Sequence, residues 1–73
     1  MRPCNRHILE TLRIAEEMIR LADRGENDRE DSGCGILFGV LRDAGCKIRR
    51  LAEAERERHI RKGWWTGEPG ETP

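Results

Sequence analysis

One stretch decides the fold: residues 8–22, which read Ile-Leu-Glu-Thr-Leu-Arg-Ile-Ala-Glu-Glu-Met-Ile-Arg-Leu-Ala. Its apolar side chains recur at steps of three and four residues, which is the spacing of one face of an α-helix. One column of this face contains Ile8, Leu12, Ala15, Ile19 and Ala22, and an adjoining column contains Ile14, Met18 and Leu21. Because the charged side chains fall on the opposite side, the segment predicts an amphipathic helix with an apolar arc about 180° wide.

The first helix is expected over about residues 4–24. Asn5 is a suitable residue to cap its start, and Gly25 suits the left-handed position that follows a helix. The next residues, up to residue 32, are almost all polar and form a short connection. A connection of this length places two helices antiparallel, and Asp31 or Ser32 can cap the second helix.

The second helix is expected over about residues 33–62, with Gly63 as its stop. Its apolar column contains Leu37, Leu41, Ala44, Ile48 and Leu51, and Glu55 continues it. Residues 64–73 contain two glycines and two prolines without periodicity, which predicts an irregular tail. The sequence therefore predicts an all-α protein: an antiparallel two-helix hairpin at residues 1–63, followed by that tail.

The small size of the chain points to assembly. A chain of 73 residues buries only about 60–65% of its unfolded surface, and domains this short usually need disulfides, a metal or oligomerisation. Each apolar arc is broader than one neighbouring helix can cover. We therefore expect a homodimer, in which two hairpins form a four-helix bundle and bury Ile8, Leu12, Ala15, Met18 and Ile19 together with the column of the second helix.

Charge and cysteine content narrow the classes of protein. Fourteen basic and fourteen acidic residues cancel, so a wholly basic nucleic-acid binder is not indicated. Three cysteines at irregular spacing are not the framework of a secreted disulfide-rich domain. The chain has no signal-peptide pattern and no long apolar run, so we expect a cytoplasmic protein with free thiols and no membrane partner.

Four residues are candidates for a metal site at the open end of the hairpin: Cys4, His7, Glu55 and His59. Cys and His three residues apart form half of a zinc site, and Glu and His four residues apart share a helix face. Zinc signatures supply a second close pair of Cys or His, which is missing here. We therefore expect no metal and no cofactor, and interpret Glu55 and His59 as the place where the core meets solvent.

Cys34 is the candidate for a reactive thiol, because it lies in the predicted first turn of a helix, where amide groups lower a thiol's pKa. Its acidic neighbours favour an unreactive thiol instead. Gly35 and Gly39 share a helix face that Cys46 continues, and this stripe of small residues predicts a close helix–helix crossing. An anion site at this helix start is a weaker alternative, since no phosphate-binding fingerprint is present.

The second helix is locally basic, because residues 33–62 carry eight Lys and Arg against four acidic residues. The acidic residues interleave with the basic ones, which favours a salt-bridged, solvated face over contact with nucleic-acid phosphates. Trp64 and Trp65 follow the helix stop. They are expected to fold back onto the hairpin near His59 and Ile60, and the alternative is that they contact a partner protein.

The most favoured function is that of a small non-enzymatic interaction or regulatory protein, with itself as partner or a second helical protein in its place. Two alternatives stay open. One is a thiol- or metal-dependent sensor that uses Cys34 and Cys46, or Cys4, His7 and His59. The other is a nucleic-acid-binding hairpin. An enzyme is not expected, because the chain has no Ser/His/Asp grouping and is too short for an enclosed pocket.

Overall fold

The chain folds into two packed α-helices. The computed structural model describes residues 2–65, with helix α1 at Pro3–Asn27 and helix α2 at Ser32–Arg61. The helices are antiparallel, because Asn5 near the start of α1 contacts His59 near the end of α2. The predicted all-α hairpin is therefore confirmed for these residues. Residues 66–73, most of the predicted tail, lie outside the described part of the chain.

The start of α1 differs from the prediction. Pro3 occupies the first turn, where its missing N–H costs nothing and its fixed φ suits a helix. Arg2 is the N-cap and its side chain makes no capping hydrogen bond. Asn5 is not the cap: it lies inside the helix and its side chain is completely buried. The capping preference of asparagine was overridden by tertiary hydrogen bonds, described below.

Helix α1 also runs three residues beyond the predicted end. Gly25 lies inside the helix, which closes at Asp28, whose N–H donates to the Arg24 carbonyl over 3.1 Å. Gly25 has another role, which sequence periodicity does not show: a Cβ atom on it would lie 2.5 Å from the ring of Phe38 in α2. Gly25 is therefore needed for the approach of that ring, and it does not stop the helix.

The start of α2 agrees with the prediction. Asp31 is the N-cap, and its side-chain Oδ1 accepts a hydrogen bond from the Cys34 N–H over 2.9 Å. This backbone hydrogen bond lowers the pKa of the Asp31 carboxyl below its ordinary value of 3.8, since the ionised form is the better acceptor. The carboxylate also lies at the positive end of the helix dipole.

Asp31→Ala is expected to lower the melting temperature at neutral pH. Because the folded-state pKa of Asp31 lies below the unfolded value, its contribution to stability is complete well above pH 3.8 and disappears as the pH falls further. Thermal melts of wild type and variant between pH 7 and pH 2.5 should therefore converge at the acidic end. Glu30→Ala, at the neighbouring exposed position, is the control; a wild-type advantage that persists unchanged at low pH would contradict the assignment.

The end of α2 also agrees with the prediction. Gly63 adopts φ +74°, the left-handed conformation that favours glycine, directly after the C-cap Lys62. The turn sends the chain back, so that the Trp64 N–H donates to the His59 carbonyl over 2.9 Å. Gly63 thereby directs both tryptophans onto the end of the hairpin.

The helices approach closely at Gly45. A Cβ atom there would lie 3.0 Å from Ile19 Cγ1 and 3.1 Å from the Ala15 carbonyl oxygen. The predicted crossing at Gly35 and Gly39 is wrong: a Cβ on Gly39 would meet nothing within 4 Å, and one on Gly35 would meet only the Arg29 side chain. The buried core at the contact consists of small residues, namely Ala15, Ala22, Gly45 and Ala52.

The line of α2 that contacts α1 lies beside the predicted apolar column. The residues of α2 that are buried against α1 are Gly45, Ala52 and His59, which recur every seven residues. The predicted core column is displaced to one side, and its members Leu37 and Leu51 remain 59% and 62% exposed. In α1 the predicted column is correct at Ala15 and Ala22, which are fully buried. Small side chains allow the backbones to approach, and this contact takes precedence over burial of the larger residues.

Candidate functional site

One side of the hairpin carries a continuous apolar surface. A shallow groove of about 350 Å³ joins Ile8 and Thr11 of α1 to Ile48 and Leu51 of α2, so these residues share a side. Helical spacing from the groove residues extends this side along both helices. We call it the apolar face and define it as Ile14, Met18, Leu21, Leu37, Val40, Leu41, Ala44, Ile48 and Leu51.

The apolar face is poorly covered by the hairpin itself. Ile14 and Leu21 are each 46% exposed, and Val40 is 62% exposed. A large apolar side chain left in water forgoes about 1.5–3 kcal/mol of burial energy. Several such residues side by side form a contiguous patch, and patches of this kind occur at interaction surfaces of soluble proteins.

The other side of the hairpin is polar. Arg42, Arg49 and Arg56 recur every seven residues of α2, beside the buried column, and all three are half-buried. Arg42 forms an ion pair with Asp23 of α1 across the helix contact. The two sides of the hairpin therefore differ in character: one is ion-paired across the helices and the other is apolar.

A buried polar cluster closes the open end of the hairpin. Asn5 and His59, which are 0% and 7% exposed, join α1 to α2 by a 2.6 Å hydrogen bond. The Asn5 Nδ2 group donates to the Trp64 carbonyl over 2.8 Å. Since this bond fixes which end of the amide is the donor, Asn5 Oδ1 is the acceptor and His59 Nδ1 carries the proton. Asn5 thus ties both helices and the chain after α2 together.

The tryptophans complete this end, as predicted. Trp65 is buried and Trp64 remains 36% exposed, and both rings stand edge-on to His59, with centroid distances of 5.3 Å for Trp64 and 6.5 Å for Trp65. Arg2 and Lys62 lie 4.6 Å and 4.4 Å from the centroid of the Trp64 ring, close enough for cation–π attraction. Folding back of the tryptophans is confirmed, and it covers the end of the core.

The metal candidates meet only in part. Cys4 Sγ lies 3.9 Å from His59 Nδ1, while Glu55 Oε1 lies 3.5 Å from the other ring nitrogen, Nε2. The two groups therefore flank opposite edges of the ring and do not surround one nitrogen, and Nδ1 already donates to Asn5. His7 is exposed. Within residues 2–65, no group of three or more His, Cys, Asp or Glu side chains is placed to hold a metal ion.

The positions of the three thiols and of the basic residues on α2 can be compared with the predictions of a reactive thiol and of a salt-bridged face. Cys4, Cys34 and Cys46 are free, and the backbone of Cys34 serves the Asp31 cap. On α2, Arg58 lies 2.7 Å from Glu55. Pairing of this kind favours the predicted salt-bridged face over a phosphate-binding surface.

Sequence reasoning missed the most deeply buried polar residue. Asn5 was interpreted as a helix cap, and its partner His59 lies 54 positions away. No local signal gives this pair: with a connection at residues 28–31, simple symmetry pairs positions whose numbers add up to about 59, whereas Asn5 and His59 add up to 64. The same shifted register brings Cys4 to His59.

Neither helix within residues 2–65 is long and apolar enough to cross a membrane. The chain matches no protein-family model, no curated protein and no solved structure in the three comparisons made with known proteins.

Proposed function

We propose that this protein is a non-enzymatic interaction and regulatory protein that acts as a homodimer, with the apolar face as its interface. The observation that carries the proposal is the exposure of large apolar side chains along that face, at 59–62% for Leu37, Val40 and Leu51. Two hairpins docked face to face would form a four-helix bundle and remove these side chains from water. Free thiols suit a reducing compartment, so we propose the cytoplasm as its location.

A second copy of the chain is the partner that fits best. The hairpin buries mainly alanine and glycine at its helix contact, and its three cysteines are free. It therefore lacks both a large core and disulfides, the usual sources of stability in a short chain. The formal net charge of zero means that two copies do not repel each other as a whole. Symmetric homodimers are also the commonest oligomers.

Leu51→Arg should separate the dimer into hairpins. A two-fold interface contains Leu51 twice, and losing about 2 kcal/mol of burial at each copy raises the dissociation constant by about 1000-fold. Ile60→Arg is the matched control: Ile60 is also exposed, at 43%, but nine residues further along the helix corresponds to about half a rotation, on the side away from the apolar face.

Sedimentation and native mass spectrometry of the two variants and the wild type provide the measurement. The wild type and Ile60→Arg should show twice the chain mass of 8.4 kDa at micromolar concentration, and Leu51→Arg should show the single mass. A folded, monomeric wild-type chain at this concentration would overturn the proposal. A complex only with a different helical protein would overturn the choice of partner.

A further inference from the structure

Two pairs of exposed side chains of the apolar face, one pair on each helix, are spaced symmetrically. On α1, Ile14 and Leu21 have the same exposure, 46%, and lie seven residues apart. On α2, Leu37 and Leu51 have similar exposures, 59% and 62%, and lie fourteen residues apart. Ala44 is midway between them. Since seven residues are close to two helical turns, each pair lies in one column on its helix.

This spacing fits a two-fold axis perpendicular to the helices. Such an axis places α1 of one hairpin on α1 of the other and α2 on α2. The two helices of each pair then run in opposite directions. Ile14 then meets Leu21 of the second copy, and Leu37 meets Leu51. Ala44 lies at the axis, where its small side chain allows the two α2 helices to approach closely, as the small residues do inside the hairpin.

The charges of the hairpin favour the same orientation. The half nearer the loop, residues 16–48, carries eight acidic and five basic side chains, a net charge of −3. The open-end half, residues 2–15 and 49–65, carries nine basic and four acidic side chains, a net charge of +5 with histidine neutral. An antiparallel pair places each acidic half against a basic half, whereas a pair with both loops at one end places like charges together.

We propose that two copies dock antiparallel about an axis near Ala44, so that α1 lies on α1, α2 lies on α2, and the acidic loop of each copy lies beside the basic open end of the other. This inference rests on the proposed homodimer. The alternative dimer, with both loops at the same end, places α1 on α2 of the other copy. It would bring Ala44 towards Leu21 and away from the second Ala44.

Disulfide trapping distinguishes the two orientations. In a background of Cys4→Ser, Cys34→Ser and Cys46→Ala, the single replacement Ala44→Cys is oxidised with oxidised glutathione and run on a non-reducing gel. Ala54→Cys is the control, because this exposed residue lies about 15 Å along α2 from the axis and its two copies would stand about 30 Å apart. We expect the Ala44→Cys dimer to form at least about 10-fold faster than the Ala54→Cys dimer, beyond the rate of random collision.

A mixture of Leu21→Cys and Ala44→Cys chains tests the alternative dimer, in which both loops lie at the same end. Cross-linking of this mixed pair in preference to the Ala44→Cys pair would overturn the antiparallel orientation, while a dimeric mass in sedimentation would keep the proposed function. A monomeric mass in the cysteine-free background and in the wild type would overturn both. As a second readout, added salt should weaken an antiparallel dimer by screening attraction, and a salt-strengthened dimer would contradict the inference.

Discussion

Gly45→Leu is expected to lower the free energy of unfolding by about 2–3 kcal/mol, because it overfills a close contact between the helices. A Cβ at this position already lies 3.1 Å from the Ala15 carbonyl oxygen and 3.2 Å from Met18 Cβ. Both atoms belong to the rigid part of α1 and cannot rotate away as a flexible side-chain end could. The helices would have to separate, and the contacts of Ala15, Ala22 and Ala52 would weaken with them.

Gly39→Leu is the matched control for this variant. Its Cβ meets nothing within 4 Å, so the gain in helix propensity, up to about 1 kcal/mol, should dominate and stabilise the protein. Urea denaturation at one fixed chain concentration measures both changes, since the stability of a dimer depends on concentration. Equal effects of the two substitutions would show that the helices do not cross at Gly45.

Asn5→Ala is expected to cost about 2–4 kcal/mol, because it leaves one buried group and one part-buried group without their hydrogen-bond partner. These groups are the His59 Nδ1–H, 2.6 Å from Asn5 Oδ1, and the Trp64 carbonyl oxygen, 2.8 Å from Asn5 Nδ2. Asn27→Ala, at the exposed end of α1, is the control and should cause little change. Denaturation curves followed by tryptophan fluorescence would report both global stability and the loosening of the open end.

A double-mutant cycle of Asn5→Ala with His59→Phe tests the pairing directly. Residues that share a buried hydrogen bond show coupling energies of about 0.5–3 kcal/mol, whereas distant residues are additive. We expect coupling within that range. Strict additivity would mean that Asn5 and His59 act separately and that the open end is closed by the tryptophans alone.

Features that depend on neighbours in the chain could be predicted from the sequence. The Asp31 cap and the Gly63 stop lie within a few residues of the amides and carbonyls they serve. The return of Trp64 and Trp65 follows from the same turn. The predicted end at Gly25 was wrong: the helix continues through this position, where the glycine leaves room for Phe38 of the other helix.

For the candidate interface, the sequence predicted which residues are apolar, but not which of them stay exposed in the hairpin. The sequence identified Leu37, Ala44 and Leu51 as apolar positions to be buried in a four-helix bundle, without determining which of them α1 covers. The structure leaves Leu37 and Leu51 exposed, which places them outside the contact between the two helices of one hairpin. Their burial by a second copy stays a prediction.

The sequence alone determined two amphipathic helices, their short connection and the excess of apolar surface, because periodicity and capping are local properties of a chain. Only the tertiary structure decided how far α2 is rotated about its axis, and with it which apolar residues face α1. Periodicity defines the width of an apolar arc but not the line within it that makes contact. Close approach of backbones at Gly45 and the buried pair of Asn5 with His59 select that line, and both depend on residues far apart in the chain.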